Sequence, residues 1–421
     1  MENAGGGDDI RVQLTRSIGI VRATAMVVGI IVGASIFVQP SEITRRVPDE
    51  RGILLVWLIA GVLTLFGALV CAELSSAFPR SGGMYVFLKE AWSPAAGFLW
   101  GWAMFWSMHS GIVAAVAVVV GRFAGGNVTA TAIASIVLLS AINYFGVKHG
   151  SALQTVFTIA KLAAIAVLLV ALWGGGASPP RGGEGASAPL RTKDFILAIA
   201  AGLFAYGGWH MVTYAAEETR APERTIPRAL MIGVAIVTAT YIALNAASMG
   251  APMIEVAAKT LGPRWAAALN ALVVVSAFGA LAGIVLAGPR VYYAMAQDGL
   301  LFRWAGAVHP RFRTPHRAIV LQAVWSSVLV VTGTYRSLFT RVVYTEWIFF
   351  AAMAAGIFVL RRRADYAPRV RVYAFVPLLF IAASIVIVVN QIASEPVESA
   401  IGLLIVIAGL PVYWFWSRHA H

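Results

Sequence analysis

Two ionisable side chains lie inside stretches of the chain that are otherwise apolar. Lys161 stands about ten residues into one such stretch, and Glu346 stands beside Trp347 near the start of another. A helix rises about 1.5 Å per residue, which places Lys161 near the centre of a bilayer, where an ammonium costs at least about 2.5 to 3.5 kcal/mol. We therefore expect Lys161 to provide a fixed positive charge or, because burial favours the neutral amine, to take and release a proton.

Simpler interpretations of these side chains remain open. Lys161 would reach the headgroups if its span were displaced by one turn, and Glu346 is close enough to the outer interface to be hydrated. Alternatively, Glu346 pairs with a cation, takes part in proton coupling or contacts the amino group of a substrate. His109 and His210 are also embedded in apolar stretches, where each is interpreted as a hydrogen-bonded packing residue or as a proton relay.

Small residues interrupt the first long apolar stretch near its middle. Gly33, Ala34 and Ser35 follow one another within the run 31–38. A helix breaks easily at such a point, and irregular backbone survives in lipid only where it lines a protein-enclosed cavity. The N–H groups of the half-helix would then attract an anion such as a carboxylate. The alternative is a small-residue face for helix packing.

A second stretch carries a similar interruption at residues 204–209. The two interrupted stretches are five spans apart, and each comes first in its half of the chain. Such a pair is the best sequence indication of an inverted-repeat transporter, in which the two breaks face each other at the midplane.

The composition is that of a polytopic membrane protein. Of the 421 residues, 59% are hydrophobic and 12% are charged, and the mean hydropathy is +0.79. Stretches of about 20 apolar residues predict spanning helices and not the strands of a barrel. The single cysteine, Cys71, excludes an internal disulfide or a cysteine metal cluster. Twelve spans are predicted, at 19–41, 52–78, 93–121, 128–147, 151–173, 194–215, 229–251, 265–289, 316–334, 340–360, 372–393 and 399–417.

The net charge is +13, and the basic residues that produce it lie mainly between these spans. With both termini cytoplasmic, most of the 32 Lys and Arg residues fall on the inner side, as the positive-inside rule requires, although Arg45, Arg46 and Arg51 do not. The predicted organisation is a cytoplasmic segment (1–18), a first repeat of five spans (19–173), an extracellular loop (174–193), a second repeat (194–360), two further helices (361–417) and a cytoplasmic end (418–421).

Two proline-containing motifs follow the second and sixth predicted spans. The first covers residues 72–85, and the second combines Glu217, Glu218 and Arg220 with Pro222 and the Pro-Arg pair at 227–228. The prolines stop helix continuation, while the interleaved charges can lock against neighbouring loops. This spacing favours an inner gate over generic solvated charge.

Together these motifs resemble those of the amino-acid/polyamine/organocation superfamily, and in particular the L-type amino-acid transporter family. Residues 33–37 resemble its Gly-Ser-Gly-Ile-Phe, residues 72–85 its Ala-Glu-Leu…Phe-Pro-(Arg/Lys)-Ser-Gly-Gly…Tyr, and residues 204–209 its Phe-Ala-Tyr-Gly-Gly-Trp. Similar stretches also occur at 143–161, 217–228, 288–299, 309–315 and 409–413. The resemblance covers essentially all twelve predicted spans.

The resemblance implies an all-α integral membrane fold with twelve transmembrane helices. These would form a five-plus-five inverted repeat (LeuT-like) with discontinuous helices 1 and 6, plus two extra helices. The implied substrate-binding residues are Ile31, Gly33, Ala34, Ser35, Ile36, Phe204, Ala205, Tyr206, Gly207, Trp209 and Trp347. The residues implied at the place of a cation site are Lys161, Tyr241, Ser276 and Glu346.

The family pattern also implies a role for each part of this site. Backbone amides around residues 33–35 would hold a substrate carboxylate, and carbonyls near residues 204–207 its amino group, with Phe204 as an aromatic lid. Two departures bear on the substrate. Ala34 and Ser35 replace Ser-Gly, which moves a hydroxyl and restricts close backbone approach, and Glu346 is unexpected in an exchanger of neutral amino acids. A cationic amino acid or amine therefore stays open.

The predicted function is sodium-independent transport of neutral amino acids, as an exchanger working by alternating access. Sodium is excluded because a fixed ammonium and a sodium ion cannot share one small oxygen cavity. The alternatives are a proton-coupled symporter using Lys161 or Glu346, a transporter-like sensor, and a membrane acyltransferase with His109 as base, which lacks a spaced partner. We expect no cofactor, metal or nucleic acid, and a multi-pass monomer in the inner or plasma membrane whose partners are its amino-acid substrate and the bilayer.

Overall fold

The computed structural model describes residues 14–33, 35–47, 49–174, 191–248, 253–334 and 344–419. These residues are helical and form no β-strand, with one isolated parallel bridge between Ile18 and Thr219. The α-helices are α1 (Ile20–Ile31), α2 (Ser35–Thr44), α3 (Glu50–Ala77), α4 (Met84–Ala91), α5 (Pro94–Ala103), α6 (His109–Ala124), α7 (Val128–Tyr144), α8 (Val147–Gly174), α9 (Thr192–Ala205), α10 (Pro222–Ser248), α11 (Met253–Leu261), α12 (Pro263–Ala287), α13 (Pro289–Gln297), α14 (His316–Thr332), α15 (Thr345–Leu360), α16 (Phe375–Ser394), α17 (Pro396–Ile407) and α18 (Gly409–His419). A π-helical turn, Met104–Met108, joins α5 to α6, and 3-10 segments cover Trp209–Glu218 and Arg303–Gly306.

Eight helical segments of the described residues are long and apolar enough to cross a membrane. They are Glu50–Ala77, Pro94–Ala124, Val147–Trp173, Thr192–Glu218, Pro222–Ser248, Pro263–Gln297, Phe375–Ser394 and Pro396–Arg418. Shorter apolar helices are Ile20–Ile31, Val128–Tyr144, His316–Thr332 and Thr345–Leu360. The protein is therefore a multi-pass membrane protein. The predicted loop 174–193 lies mostly outside the described residues, as do residues 340–343 of the predicted tenth span.

Local sequence explains several helix ends. Asp49 caps α3, because its side chain accepts a hydrogen bond from the Gly52 N–H at 2.7 Å, and Ser93 caps α5 by accepting from the Ala96 N–H at 3.2 Å. The predicted span 399–417 is divided in the structure, where α17 ends at Ile407 and α18 begins at Gly409. A proline ring clashes with the carbonyl four residues earlier, which for Pro411 is that of Ile407, so the helix is interrupted there.

Helix α1 lies at the centre of the bundle. It packs against α8, α10, α12 and the 3-10 segment Trp209–Glu218. Its residues from Ala25 to Ile31 are all buried. A helix that is apolar and buried on every side belongs to the interior of a protein. The end of α1 is thus held by protein and not by lipid, as an interrupted helix requires.

Candidate functional site

The first break separates α1 from α2. Helix α1 ends at Ile31, Val32 and Gly33 are not helical, and α2 begins at Ser35, while Ala34 lies outside the described residues. The Gly33 N–H donates to the Ile31 carbonyl at 2.8 Å, so this amide is already bonded and not open to a carboxylate. The first-turn N–H groups of α2, beginning at Ser35, have no partner within their own helix. They are the donors that the break offers to an anion.

The second break follows α9, which ends at Ala205. The Gly207 N–H bonds the Phe204 carbonyl at 3.1 Å, and Gly208 has φ +95, a left-handed conformation that glycine adopts without strain. A Cβ on Gly208 would also lie 2.4 Å from Cγ2 of Ile30 in α1. Position 208 therefore requires glycine for two reasons: its backbone angle is left-handed, and a side chain there would collide with the end of α1.

Tyr241 of α10 connects the two breaks. Its buried hydroxyl lies 2.9 Å from the Ile31 carbonyl and 3.1 Å from the Ala205 carbonyl, which are the last residues of α1 and α9. Helix carbonyls at a C-terminus lack intrahelical partners. The Tyr241 hydroxyl provides a donor for the Ala205 carbonyl and a second donor for the Ile31 carbonyl, which also accepts from the Gly33 N–H. The structure thus brings Ile31, Ala205 and Tyr241 of the predicted site together.

Lys161 of α8 is fully buried and bonds three backbone carbonyls. Its Nζ lies 2.8 Å from Gly29 O and 2.6 Å from Val32 O, at the end of α1, and 3.3 Å from Ser276 O in α12. An ammonium has three donors, and three acceptors are present. The interpretation of Lys161 as a lysine reaching for the headgroups does not fit this geometry, because the charge is directed at the first break.

The surroundings of Lys161 hold α8 and α12 close together. A Cβ on Gly279 would lie 2.8 Å from the Phe157 Cβ and 3.4 Å from the Lys161 Nζ, so glycine permits this approach. The Ser276 hydroxyl is buried and has no hydrogen-bond partner among the described residues, and its carbonyl, not its hydroxyl, contacts the lysine. The hydroxyl is therefore free for a water or a substrate group.

The aromatic residues of the predicted pocket have different surroundings. Phe204 is 41% exposed, so part of its ring is accessible beside the second break. Tyr206 is buried, and its hydroxyl bonds the Trp57 carbonyl at 3.2 Å, which makes it a packing residue in this conformation. Trp209 is buried against Phe350, with ring centroids 5.3 Å apart. Ile36 of α2 is buried and Trp347 of α15 is half-buried.

The histidines predicted inside the membrane are both buried. The Nε2 of His109 lies 3.0 Å from the Ile284 carbonyl, a contact typical of a packing histidine. The Nε2 of His210 lies 3.6 Å from Glu346 Oε1, and neither ring nitrogen has a hydrogen-bond partner among the described residues. Glu346 therefore faces the interior of the bundle and not the outer interface.

A buried ion pair lies at the end of the segment that follows the second break. Glu218, at the end of the 3-10 segment, and Arg290 of α13 are both fully buried and form two bonds of 2.7 and 2.8 Å. The backbone of Ser17 and Ile18 bonds the Glu218 carbonyl as well, at 2.8 and 2.9 Å. Bidentate pairs of this kind are strong and directional, so they fix the segment that continues from the break.

Further contacts join the first predicted gate motif, residues 72–85, to neighbouring segments. Glu73 accepts two bonds from Arg361, at 2.9 and 2.6 Å, and one from the Val372 N–H at 2.8 Å. The Tyr85 hydroxyl donates to Asp298 at 2.6 Å. Burial and then this hydrogen bond raise the pKa of Tyr85 well above its ordinary value, so it stays a neutral donor. The motif is thus held to these segments by paired charges and hydrogen bonds.

Sequence reasoning missed two of these pairings. The complementary charges of Glu218 and Arg290 stood in separate motifs 72 residues apart, and those of His210 and Glu346 in separate apolar stretches. The available signal was that each buried charge requires a partner, which does not identify that partner. The described residues contain no cluster of three or more His, Cys, Asp or Glu side chains placed to hold a metal ion.

Comparison with known proteins agrees with this architecture. A family model described as amino acid permease matches residues 18–415. The serine/threonine exchanger SteT of Bacillus subtilis is 32% identical, over 95% of this chain and 97% of that protein. The human b(0,+)-type amino acid transporter 1 is 28% identical, over 96% and 89%, and the human large neutral amino acids transporter small subunit 2 is 28% identical, over 99% and 83%. The chain therefore belongs to the amino acid permease family, as its motifs predicted, and it is a membrane transporter and not an enzyme.

Proposed function

We propose that this protein is a sodium-independent exchanger of amino acids, with neutral amino acids among its substrates, working by alternating access. The observation that carries the proposal is the position of Lys161, whose ammonium bonds Gly29, Val32 and Ser276 beside the first break. These carbonyls are the oxygen ligands that a small cation would otherwise need. Because the lysine already occupies them, transport requires no sodium ion.

The proposed architecture is twelve membrane spans in a five-plus-five inverted repeat, followed by two further helices. The interruptions after Ile31 and Ala205, each in the first span of a half, support this arrangement. We further propose a monomer in the cell membrane with both termini cytoplasmic. The ion pairs Glu218–Arg290 and Glu73–Arg361 would then form the inner gate.

The proposed substrate site lies between the two breaks. Backbone amides that begin at Ser35 would bind the substrate carboxylate, and the carbonyls near Phe204, Ala205 and Gly207 its amino group. Opposite helix ends support this assignment, because a helix N-terminus favours a negative group and a helix C-terminus a positive one. The name of one relative supports exchange, since the serine/threonine exchanger is 32% identical.

A proton-coupled symporter is the second candidate. The observation that favours it is the presence of buried ionisable groups, Lys161 and the His210–Glu346 pair, beside or near the breaks. Either could bind and release a proton as the protein changes conformation. A sensor without turnover is the remaining alternative, and measurable flux excludes it.

Counterflow in proteoliposomes tests the proposal. Vesicles are loaded with an unlabelled amino acid, and uptake of labelled alanine, serine or leucine is followed in sodium, in choline, and with or without a proton gradient. We expect internal amino acid to stimulate uptake equally under all of these conditions. Uptake that follows the proton gradient and not the internal amino acid would establish symport. Uptake that needs sodium would refute the role assigned to Lys161.

A further inference from the structure

Glu346 carries a carboxylate into the interior of the bundle, and among the described residues no lysine or arginine pairs with it. Within the described residues, its ion-pair contact is with His210, at 3.6 Å, which is beyond hydrogen-bond distance. The Glu346 side chain is 15% exposed, whereas His210 is fully buried. The carboxylate thus lies against a buried residue while 15% of its side chain stays accessible, and this accessible part is what a ligand would contact.

Aromatic rings surround the same place. The ring of His210 lies 5.9 Å from Trp100, 5.4 Å from Trp209, 5.5 Å from Tyr214 and 5.1 Å from Phe350. Aromatic faces attract a cation electrostatically, and the attraction grows when the cation is removed from water. A carboxylate with several aromatic rings is therefore a combination suited to an organic cation.

This cluster lies next to the second break in the chain, where the amino group of the substrate is proposed to bind. His210 follows Gly208, the last residue of the second break, by two positions of a 3-10 segment. Such a segment rises about 2 Å per residue, so the imidazole begins about 4 Å along the chain from the break. The cluster therefore begins directly after the second break, at the proposed position of that amino group.

We propose that Glu346, with His210 and the rings around it, binds the positively charged side chain of a cationic amino acid. The substrate range then includes amine or guanidinium side chains as well as neutral ones. A buried carboxylate is destabilised unless it has a charged partner, and the substrate would provide that partner. The inference rests on the proposed amino-acid transport and defines its substrate class.

Selectivity between labelled lysine and labelled alanine tests this site. The wild type, Glu346→Gln and Glu346→Asp are compared by counterflow in proteoliposomes. We expect Glu346→Gln to lower the ratio of lysine to alanine uptake by about tenfold or more, because a charge-assisted contact is lost. Glu346→Asp keeps the charge and should retain the preference. Glu50→Gln, which removes an exposed carboxylate at the start of α3, should leave the ratio unchanged.

The role of His210 is tested in the same assay. If the histidine assists the carboxylate, His210→Gln should keep the lysine to alanine ratio within about threefold of the wild type, because the negative charge remains. If lysine were recognised only after His210 had been replaced, the partner of Glu346 would be a protonated His210, and the proposal would be overturned. An unchanged ratio in Glu346→Gln would overturn it as well.

A binding measurement separates this inference from the proposed function. Labelled lysine is titrated onto detergent-solubilised wild type and Glu346→Gln by scintillation proximity, after gel filtration has shown that both are monodisperse. Binding that depends on Glu346 without any flux would refute exchange but support the cation site. Alanine exchange without lysine binding to the wild type would refute the cation site and leave exchange intact.

Discussion

Replacing Lys161 with methionine separates the stability of the protein from its transport activity. Methionine keeps an unbranched side chain and removes the charge. Three bonds are lost, to Gly29, Val32 and Ser276, worth about 4 to 5 kcal/mol at about 1.5 kcal/mol for each bond to a charged donor. The mutation also removes the cost of burying an ammonium, about 2.5 to 3.5 kcal/mol. The net loss of stability is therefore about 1 to 2 kcal/mol, and we expect a folded, inserted protein.

Transport should respond far more strongly than stability. Two of the three bonds hold the end of α1, and their loss removes about 3 kcal/mol from the conformation in which the break is formed. The fraction of protein in that conformation, and with it the apparent affinity, would fall about a hundredfold. The substitution leaves the carbonyls of the site in place. The defect is therefore a lower population of the conformation in which the break is formed.

The assay compares counterflow, binding and melting temperature for Lys161→Met and Lys148→Met. Lys148 is exposed in the first turn of the same helix, so its variant controls for the loss of one positive charge from α8. We expect Lys148→Met to transport normally. Normal transport by Lys161→Met would refute the assignment of Lys161 to the first break, and a protein that fails to insert would refute the energy balance above.

Three further substitutions test the two helix breaks and the ion pair between Glu218 and Arg290. Gly208→Ala should lower the melting temperature more than Gly262→Ala, because both glycines have a left-handed φ but only a Cβ at 208 meets another side chain; equal effects would contradict this. Arg290→Gln leaves Glu218 buried without its cation and should cost about 3 to 5 kcal/mol, measured by thermal unfolding. Tyr241→Phe removes the hydroxyl donor of the Ala205 carbonyl and should slow exchange about tenfold, at a cost of about 1 to 3 kcal/mol in stability; an unchanged rate would exclude a role for that hydroxyl in transport.

The positions of the breaks were predictable because their causes are local. Gly33 sits in a run of small residues, and Gly207 and Gly208 follow an aromatic helix end, so the helical pattern weakens at those points whatever surrounds them. The burial of Lys161 was predictable for a similar reason, since counting residues along the helix places it far from both ends of its apolar stretch. Local sequence therefore located the two helix breaks and the buried lysine.

The pairing of these groups was not predictable in the same way. The bond between Glu218 and Arg290 and the contact between His210 and Glu346 join residues that are far apart in the chain. Their pairing depends on how helices pack, and a single sequence states only that each charge needs a partner. The internal bond of the Gly33 amide was also unexpected, because the turn after α1 satisfies that donor itself.

The hydrogen bonds at the two breaks differ in how they constrain motion. Lys161 has three donors for three carbonyls, so any displacement of α1 from α8 breaks bonds without replacement. Tyr241 has one hydroxyl proton and two acceptors, at Ile31 and Ala205, and it fully satisfies one of them at a time. The breaks can therefore separate while the hydroxyl keeps one bond. Lys161 fixes the first break to its surroundings, whereas Tyr241 allows the two breaks to move relative to each other.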